Sequence, residues 1–450
     1  MHVVLEPLGY HQQVARRLMQ CEPASWAAFA DMLGPASERI GAYPSASTPA
    51  PVPDLLHEPA TGSDPAAADD ETADEAAELY RVLARTAYRL DEATHPQVHA
   101  AARRAAAALD IGVPIAVHQL EGSTGANATL RHLPGEVVIT LSGNLLDLLT
   151  DDELCAVFGH ELAHRLLWTA EGGRYLVADR LLDALSVDPR TPAAFLETAR
   201  RWALATELYA DRGALRACGD LSIAVSALAK VATGLSVVDA AGYLAQATAA
   251  APEAGSLNGS HPETVLRAWA LERWGFEESD RAAHLLLRPE LDVDRLDLPD
   301  QHQLEARTRH LIDAAITDPA LRGDDTLALA RKYFPDLEPA AATPTAATPV
   351  TTAATTSGTE VLAGSTRRYL AYVLLDLATV DPDAGEPGLL AALRLAGAQG
   401  VAAELGEAID REGLAGRRAP AALLETAAAL PSTAGPSAAG PSAAQAGAAR

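Results

Sequence analysis

The chain has 450 residues, a formal net charge of −25 and a sequence pI near 4.8. Most of such a surface repels phosphate backbones and anionic lipid headgroups, which argues against nucleic acid as a partner. The length predicts two or three domains, and an alanine-rich composition with only 4% aromatic residues predicts a mainly helical protein.

The cysteines and the apolar stretches indicate the cellular compartment. Cys21, Cys155 and Cys218 lie far apart without a paired spacing, which argues against disulfides and favours a reducing compartment. The N-terminal residues lack the apolar run of a signal peptide, and no segment has the roughly 18 to 20 consecutive apolar residues of a membrane-spanning helix. We therefore expect a soluble, cytoplasmic protein without an integral membrane segment.

The first part of the chain combines helical and flexible segments. Residues 1–42 are predicted to form short helices, and residues 43–71, rich in proline, serine and acid, a flexible linker. The apolar spacing over 76–88 predicts a helix that includes Tyr88, and a second helix follows over 95–109.

A small β-sheet is predicted inside the domain that follows, over residues 72–337. The runs 113–119 and 136–141 are rich in β-branched residues and bounded by glycine and proline. Thr150 and Glu153 then form a capping-box pattern that starts another helix. The expected fold class is therefore α+β, mainly α with a small sheet.

The second half of the chain contains further helices and another linker. The predicted helices cover residues 193–218, 221–249 with a break near Gly234, 262–274 and 301–315. A linker rich in proline, threonine and alanine is expected at 338–360, a small helical module at 361–430 and a disordered tail at 431–450. We consider the helical module a candidate for binding a protein partner.

His160, Glu161 and His164 form an HExxH motif on the helix that follows Thr150. Residues four apart on a helix project from nearly the same face, so both imidazoles can bind one zinc ion. The Glu161 carboxylate lies beside the first ligand, where it can take a proton from a zinc-bound water. The motif predicts peptide hydrolysis without a covalent intermediate.

Glu207 and Asp211 lie one turn apart on a later predicted helix and complete the site. We expect Glu207 to be the third ligand of one zinc ion per chain, which leaves a position open for water. Asp211 is expected to accept the free ring N–H of a ligand histidine, with His160 as the preferred partner. The alternative is that both histidines lie exposed on an ordinary helix, but the Glu-x-x-x-Asp pair argues against a chance HExxH.

The residues around the motif resemble a known family. Segments 127–129, 138–149 and 152–164 are similar to the HtpX-like and CAAX-prenyl-protease (Ste-type) family of gluzincin zinc metallopeptidases. The resemblance covers residues 72–274 and implies a gluzincin-type core. Many relatives carry transmembrane helices and act on membrane or lipidated proteins, so we interpret this chain as a soluble branch.

The resemblance also implies residues that would contact the substrate. A downstream His-Pro and a later arginine correspond to His261 and Arg267, which would line the cleft and steady the oxyanion or the substrate backbone. Alternatively, His261 caps the helix that begins at the following proline, and Arg267 forms a surface ion pair. A peptide or protein substrate is expected to add as a strand to the edge at 126–133, next to Asn127 and Ala128.

The other polar residues are interpreted as structural. Cys155 is expected to be a small buried packing residue. Seven further histidines lack an acidic partner at ligand spacing and are expected to be surface or packing residues: His95, His99, His118, His132, His284, His302 and His310. The acidic runs 69–71 and 292–300 are interpreted as solvated, because no glycine-centred loop indicates a calcium site.

The leading hypothesis is a zinc-dependent endopeptidase. A second hypothesis is a zinc-bearing interaction or scaffold protein with weak turnover. A third is a latent peptidase whose linkers or C-terminal module block the cleft. The complete set of ligands and base favours the enzyme.

Overall fold

A computed structural model of the chain describes residues 5–33, 65–414, 422 and 425–427, with gaps at 124, 134, 251–255, 257–260, 275–278, 289 and 338–360. The chain divides into two compact units. The first unit comprises residues 1–291 and 295–302, and the second comprises residues 292–294 and 303–450. In the described part of the chain, no helix has both the length and the hydropathy needed to cross a lipid bilayer.

The structure is mostly helical with a small four-stranded sheet, so the predicted α+β fold class is confirmed. The strands are β1 (Ala87–Arg89), β2 (Ile115–Leu120), β3 (Asn127–Leu133) and β4 (Glu136–Ser142). The helices of the first unit are α1 (Gly9–Cys21), α2 (Pro23–Leu33), α3 (Pro65–Thr86), α4 (Pro96–Ala108), α5 (Leu145–Leu148), α6 (Asp151–Thr169), α7 (Arg174–Val187), α8 (Ala193–Cys218), α9 (Leu221–Thr233), α10 (Ala240–Ala249), α11 (Thr264–Trp274) and α12 (Ser279–Leu287). The unit boundary falls within α13 (Leu298–Thr317), and the later helices are α14 (Asp324–Tyr333), α15 (Gly364–Thr379), α16 (Gly385–Gln399) and α17 (Ala402–Arg411).

The sheet has the strand order β1-β2-β4-β3, which places β3 at an edge. Strands β2 and β4 are parallel, whereas β1 pairs antiparallel with β2 and β3 antiparallel with β4. The outer side of β3 has no partner strand among the described residues. Backbone groups along such an edge are available to an added chain.

Helix α6 is buried on two sides, and this packing fixes the positions of the HExxH residues. Leu154, Phe158 and Leu162 pack in the apolar cluster formed with the sheet and α4. Ala163 and Leu167 pack in a second cluster with α1, α7 and α8. The predicted capping box at the start of α6 is confirmed, because Thr150 and Glu153 bond to each other's backbone N–H.

Helices α6 and α8 pack closely through two glycines. A Cβ atom on Gly213 would lie 2.3 Å from the Cβ of Ala163, and one on Gly159 would lie 2.3 Å from the Cβ of Ala217. Real Cβ atoms do not approach this closely, so only glycine allows this spacing of the helices. The close approach brings the carboxylates of α8 near the imidazoles of α6.

Several element boundaries differ from the predictions. Tyr88 lies in β1 rather than in a helix, because the chain leaves α3 at Thr86 and pairs with β2. Helix α3 begins at Pro65, inside the predicted linker, and residues 43–64 of that linker lie outside the described part of the chain. The predicted break near Gly234 is confirmed, since this residue ends α9 at a φ of 73°.

The two compact units differ in extent from the predicted domains. Val14 and Leu18 of α1 lie in the main core of the first unit, so the N-terminal helices are part of that unit. Residues 303–337 were expected in the peptidase domain, but Leu311 and Ile312 share a core with α15 to α17. The linker composition at 338–360 therefore separates two parts of one core. That segment and the predicted tail 431–450 lie outside the described residues.

The acidic run 292–300 is not fully solvated, contrary to the prediction. Asp297 and Asp300 are 0% and 1% exposed. Both accept hydrogen bonds from Arg201, at 3.0 Å and 2.5 Å, and Asp297 also accepts one from Tyr10. The arginine lies almost a hundred residues upstream, so the sequence run alone did not reveal these partners.

Candidate active site

A cleft of about 180 Å³ in the first unit contains the predicted site residues. It is lined by parts of β3, α6, α8, α9 and α11, together with the residue at position 261. The predicted site residues that line it are Asn127, Ala128, His160, Glu161, His164, Glu207, Asp211, His261 and Arg267.

The proposed metal ligands come from two neighbouring helices. His160 and His164 lie one turn apart on α6, and Glu207 faces them from α8. Glu207 Oε2 lies 3.5 Å from His160 Nε2, and its Oε1 lies 3.8 Å from His164 Nε2. One ligand atom from each residue lies within 4.8 Å of the others.

Asp211 lies one turn after Glu207 and contacts two other residues of the site. Its Oδ1 lies 3.2 Å from Nδ1 of His160, close enough to accept a hydrogen bond from that nitrogen. Arg267 donates two hydrogen bonds to the same carboxylate, at 2.8 Å and 2.6 Å. The three side chains therefore form a row that orients the His160 ring towards Glu207.

Burial and neighbouring charges strongly affect the ionisation of the ligands. Burial alone would raise the pKa of Glu207, but Arg267 and hydrogen bonds from His160 and His261 hold it well below its usual range. Burial would lower the pKa of His160, but its hydrogen bonds to Asp211 and Glu207 raise it to about 10. Burial and the charge of His160 lower the pKa of His164 to about 4. Glu207 is thus an anion, and His164 is a neutral imidazole. His160 carries a proton that a metal would have to replace.

Glu161 lies in the cleft close to the edge strand. The backbone of Leu130 in β3 favours its ionised carboxylate and so offsets part of the effect of burial on its pKa. The side chain is 8% exposed, and burial raises the pKa of Glu161 to about 7. A carboxylate with a pKa in this range can both accept and return a proton near neutral pH.

His261 and Arg267 both approach Glu207, but they differ in exposure. Nδ1 of His261 lies 3.0 Å from Glu207 Oε2, and its side chain is 38% exposed. Arg267 Nη2 lies 3.3 Å from the same oxygen, and its side chain is 12% exposed. The alternative of a surface ion pair for Arg267 is therefore wrong. Helix α11 begins at Thr264, two residues later than the sequence predicted.

Strand β3 contributes its backbone rather than large side chains to the cleft. Residues 127–130 line the opening, yet the side chains of Ala128 and Leu130 pack in the core. The part of the edge beside Glu161 is therefore a row of backbone groups with the Asn127 side chain at its start. Such an edge can pair with an extended peptide of varied sequence.

Comparison with protein families gives one match to this region. Residues 92–275 match the model of Peptidase family M48. The matched segment contains the whole candidate site, and the family consists of zinc metallopeptidases. The match therefore supports a metallopeptidase of family M48. Comparisons with curated proteins and with solved structures gave no match.

The ligand set fits the zinc ion that the family implies. Tetrahedral nitrogen and oxygen ligands about 2.0 to 2.2 Å from zinc lie roughly 3.3 to 3.6 Å apart, close to the separations of Glu207 from both histidines. Glu207 Oε1 is buried and has no hydrogen-bond partner among the described residues. A buried carboxylate oxygen without such a partner is costly unless a cation is bound. Two nitrogens and one oxygen are also the donor types that zinc accepts.

One side of the cleft was missed by the sequence predictions. Apolar residues of α9, together with Trp168 of α6, line it beside the ligands. The apolar residues of α9 recur every three or four positions, which predicts a buried helix face. This periodicity cannot show whether the face meets the core or a cleft.

Proposed function

We propose that this chain is a zinc-dependent endopeptidase in which His160, His164 and Glu207 hold one zinc ion. The observation that carries the proposal is the convergence of these ligand atoms within 4.8 Å, in the same cleft as Glu161. When bound, zinc supplies a Lewis acid that polarises the substrate carbonyl and lowers the pKa of the attacking water. The sequence resemblance suggests the HtpX-like or Ste-type subtype within family M48.

In this proposal Glu161 moves the proton. Its carboxylate takes a proton from the attacking water and passes it to the leaving amine. That carboxylate lies near the backbone of Leu130 at the strand edge, and both residues line the cleft. The same edge supports binding of the substrate as an added strand beside Asn127 and Ala128. The scissile bond then lies next to the base.

The remaining polar residues have separate proposed roles. His261 is more exposed than Arg267, and it can reach a substrate oxyanion. Asp211 and Arg267 are positioning residues, because the hydrogen bonds of Arg267 go to Asp211, which contacts His160. Arg267 also supplies a positive charge next to Glu207.

The first prediction concerns Glu161→Gln in the full chain. The variant should keep about one zinc per chain, because Glu161 is not a proposed ligand, and lose cleavage by about 10² to 10⁴-fold. Zinc is measured by elemental analysis and cleavage with casein and quenched peptides. Glu121→Gln, at an exposed position outside the cleft, is the matched control and should keep both properties.

Two outcomes would contradict parts of this proposal. Unchanged cleavage by Glu161→Gln would show that Glu161 is not the base. Zinc binding by the wild-type chain without cleavage of any substrate would favour the scaffold hypothesis instead. His164→Ala provides a further check, because it should lose zinc and cleavage together.

A further inference from the structure

The edge strand β3 carries an arginine next to the cleft. Residues 127–130 line the cleft, and Arg131 directly follows them. Leu130 lies opposite Ile139 of β4, and both pack in the cluster that includes α6. Arg131 lies opposite Val138, which packs in the separate cluster formed with α3. Since side chains alternate between the faces of a strand, Arg131 is on the α3 face of the sheet, away from α6.

The charge of Arg131 is not balanced by a neighbouring acid. Its half-buried guanidinium has no hydrogen-bond or ion-pair partner among the described residues. Burial and the charge of Arg180 lower the pKa of Arg131. Arg180 has its own acids, because its Nη1 lies 3.3 Å from an oxygen of Asp183 and 3.7 Å from one of Asp179. An arginine stays charged in such surroundings, so an added anion beside Arg131 would be stabilised.

A strand added to β3 would place one of its side chains beside Arg131. Directly opposed residues of neighbouring strands share a face of the sheet, with Cβ atoms about 4.5 to 5.5 Å apart. Thr129 lies on the same face as Arg131, but its hydroxyl oxygen already lies 2.5 Å from that of Thr140. Because Leu130 lies close to Glu161, the residue opposite Arg131 is within about two residues of the cleaved bond.

We propose that Arg131 is a specificity residue that binds an aspartate or glutamate side chain of the substrate, paired with it across the edge of the sheet. This inference rests on the proposed peptidase function and on strand addition to β3. A guanidinium and a carboxylate form charge-assisted, often bidentate hydrogen bonds. The net charge of −25 repels acidic substrates over most of the surface, so a local cation has to attract them. A C-terminal carboxylate continues the peptide backbone in the plane of the sheet, whereas a side chain lies on the face that carries Arg131.

The test uses the full, zinc-loaded chain at low salt and a set of quenched peptides. Each peptide carries one glutamate at a different position on either side of the cleaved bond, and glutamine is the matched neutral residue. Glutamate should raise kcat/KM by about tenfold at one position. The two adjacent positions should show no such gain, because their side chains lie on the other face of the strand. High salt should reduce the gain. Each peptide is compared with a free and an amidated C-terminus.

Variants of Arg131 separate its charge from general damage to the strand. Arg131→Glu should reverse the preference, so that lysine at the same position is favoured over glutamate. Arg131→Met keeps much of the aliphatic side chain and should abolish the preference, and it replaces the charge reversal if that variant does not fold. The matched control is Arg89→Glu in β1, at the opposite edge of the same sheet, which should keep the wild-type preference. Zinc content and thermal unfolding are measured for every variant.

The outcomes distinguish the role of Arg131 from the underlying activity. Glu161-dependent cleavage without a glutamate preference, or with one that the Arg131 variants do not alter, overturns the role of Arg131 and leaves the peptidase function intact. A gain that requires only a free C-terminus, whatever the side chain, also overturns it. Zinc-loaded chain that cleaves no peptide overturns the proposed function.

Binding to the Glu161→Gln variant tests Arg131 without turnover. The affinity of labelled peptides is measured by fluorescence anisotropy. Tighter binding of the glutamate peptide than of the glutamine peptide, lost when Arg131→Met is added, supports the role of Arg131 even if no cleavage is found. Equal binding of the two peptides overturns it.

Discussion

Asp211 contacts one of the proposed zinc ligands without being a proposed ligand itself. It contacts Nδ1 of His160 and receives two hydrogen bonds from Arg267. Burial would raise the pKa of Asp211, but the charge and hydrogen bonds of Arg267 lower it, so the group stays ionised. An ionised carboxylate behind a ligand imidazole fixes its tautomer and increases its basicity.

We therefore predict that Asp211→Asn lowers the affinity for zinc. The amide keeps the size of the side chain but removes the charge that favours the Nδ1–H tautomer of His160. Zinc should bind about 10 to 100-fold more weakly, as measured by competition with a chelator. Glu161→Gln is the comparison, because it changes a cleft carboxylate that is not behind a ligand. Equal zinc affinity in both variants would contradict the positioning role.

His11 of α1 predicts how stability depends on pH. It is fully buried against the Trp202 ring, and burial together with the charge of Arg212 lowers its pKa from 6.5 to about 3. Between these values the unfolded chain binds a proton that the folded chain does not. The free energy of unfolding therefore falls as the pH drops below about 6.5.

His11→Phe should remove this component of the pH dependence while keeping a ring in the core. From pH 7 to pH 5, the wild type should lose about 2 kcal/mol more unfolding free energy than the variant. Chemical denaturation at several pH values measures the difference. Parallel pH profiles for the two proteins would show that the pKa of His11 is the same in the folded and unfolded chains.

At the scale of elements, the contact between α6 and α8 determines whether the ligands meet. Gly159 and Gly213 allow these helices to approach until a Cβ on either would lie 2.3 Å from an alanine Cβ. His160 directly follows the first glycine, and Asp211 precedes the second by two residues. A small separation of the helices would therefore move Glu207 away from both imidazoles.

Gly213→Ala should consequently weaken zinc binding as well as the fold. The added methyl group overlaps Ala163, and relief of that overlap should cost about 1 to 3 kcal/mol of stability. Zinc affinity and thermal unfolding are measured on the same preparation. Gly397→Ala in α16, where a Cβ would have nothing within 4 Å, should be neutral or slightly stabilising. Wild-type zinc affinity in Gly213→Ala would show that the close approach is not required.

At the scale of the whole molecule, each compact unit depends on segments distant in sequence. In the first unit, Arg201 of α8 bonds to Asp297 and Asp300, and Tyr10 of α1 bonds to Asp297. In the second unit, residues of α13 pack with α15 to α17 across the segment 338–360. A chain shortened near residue 338 would divide this core, so it is a poor test of whether the C-terminal helices inhibit the cleft.

Arg201→Met should test the contribution of the buried ion network to the first unit. The variant leaves Asp297 and Asp300 buried with fewer partners, which should cost about 3 to 5 kcal/mol. The control is Arg190→Met, because Arg190 forms an exposed pair with Asp188 and should leave unfolding unchanged. Denaturant unfolding of both variants provides the measurement. A similar small effect in both would mean that the network is not stabilising.

The sequence predicted the parts of the fold and site that depend on local geometry. The HExxH spacing, the Glu-x-x-x-Asp pair, the capping box at Thr150 and the break at Gly234 each follow from the geometry of one helix. Tyr88 was assigned to a helix because its spacing fits one, whereas strand pairing with β2 decides its conformation. The burial of Asp297 was missed because its partners lie in other elements.

The sequence by itself thus determined which residues can act as the proposed zinc ligands and base, since residue types and their spacing along a helix are local properties. Only the tertiary structure decided how that chemistry is assembled. It placed Glu207 opposite the two histidines, Arg267 behind Asp211 and the apolar face of α9 against the cleft. These placements depend on helix packing between residues far apart in the chain, which periodicity and composition do not encode.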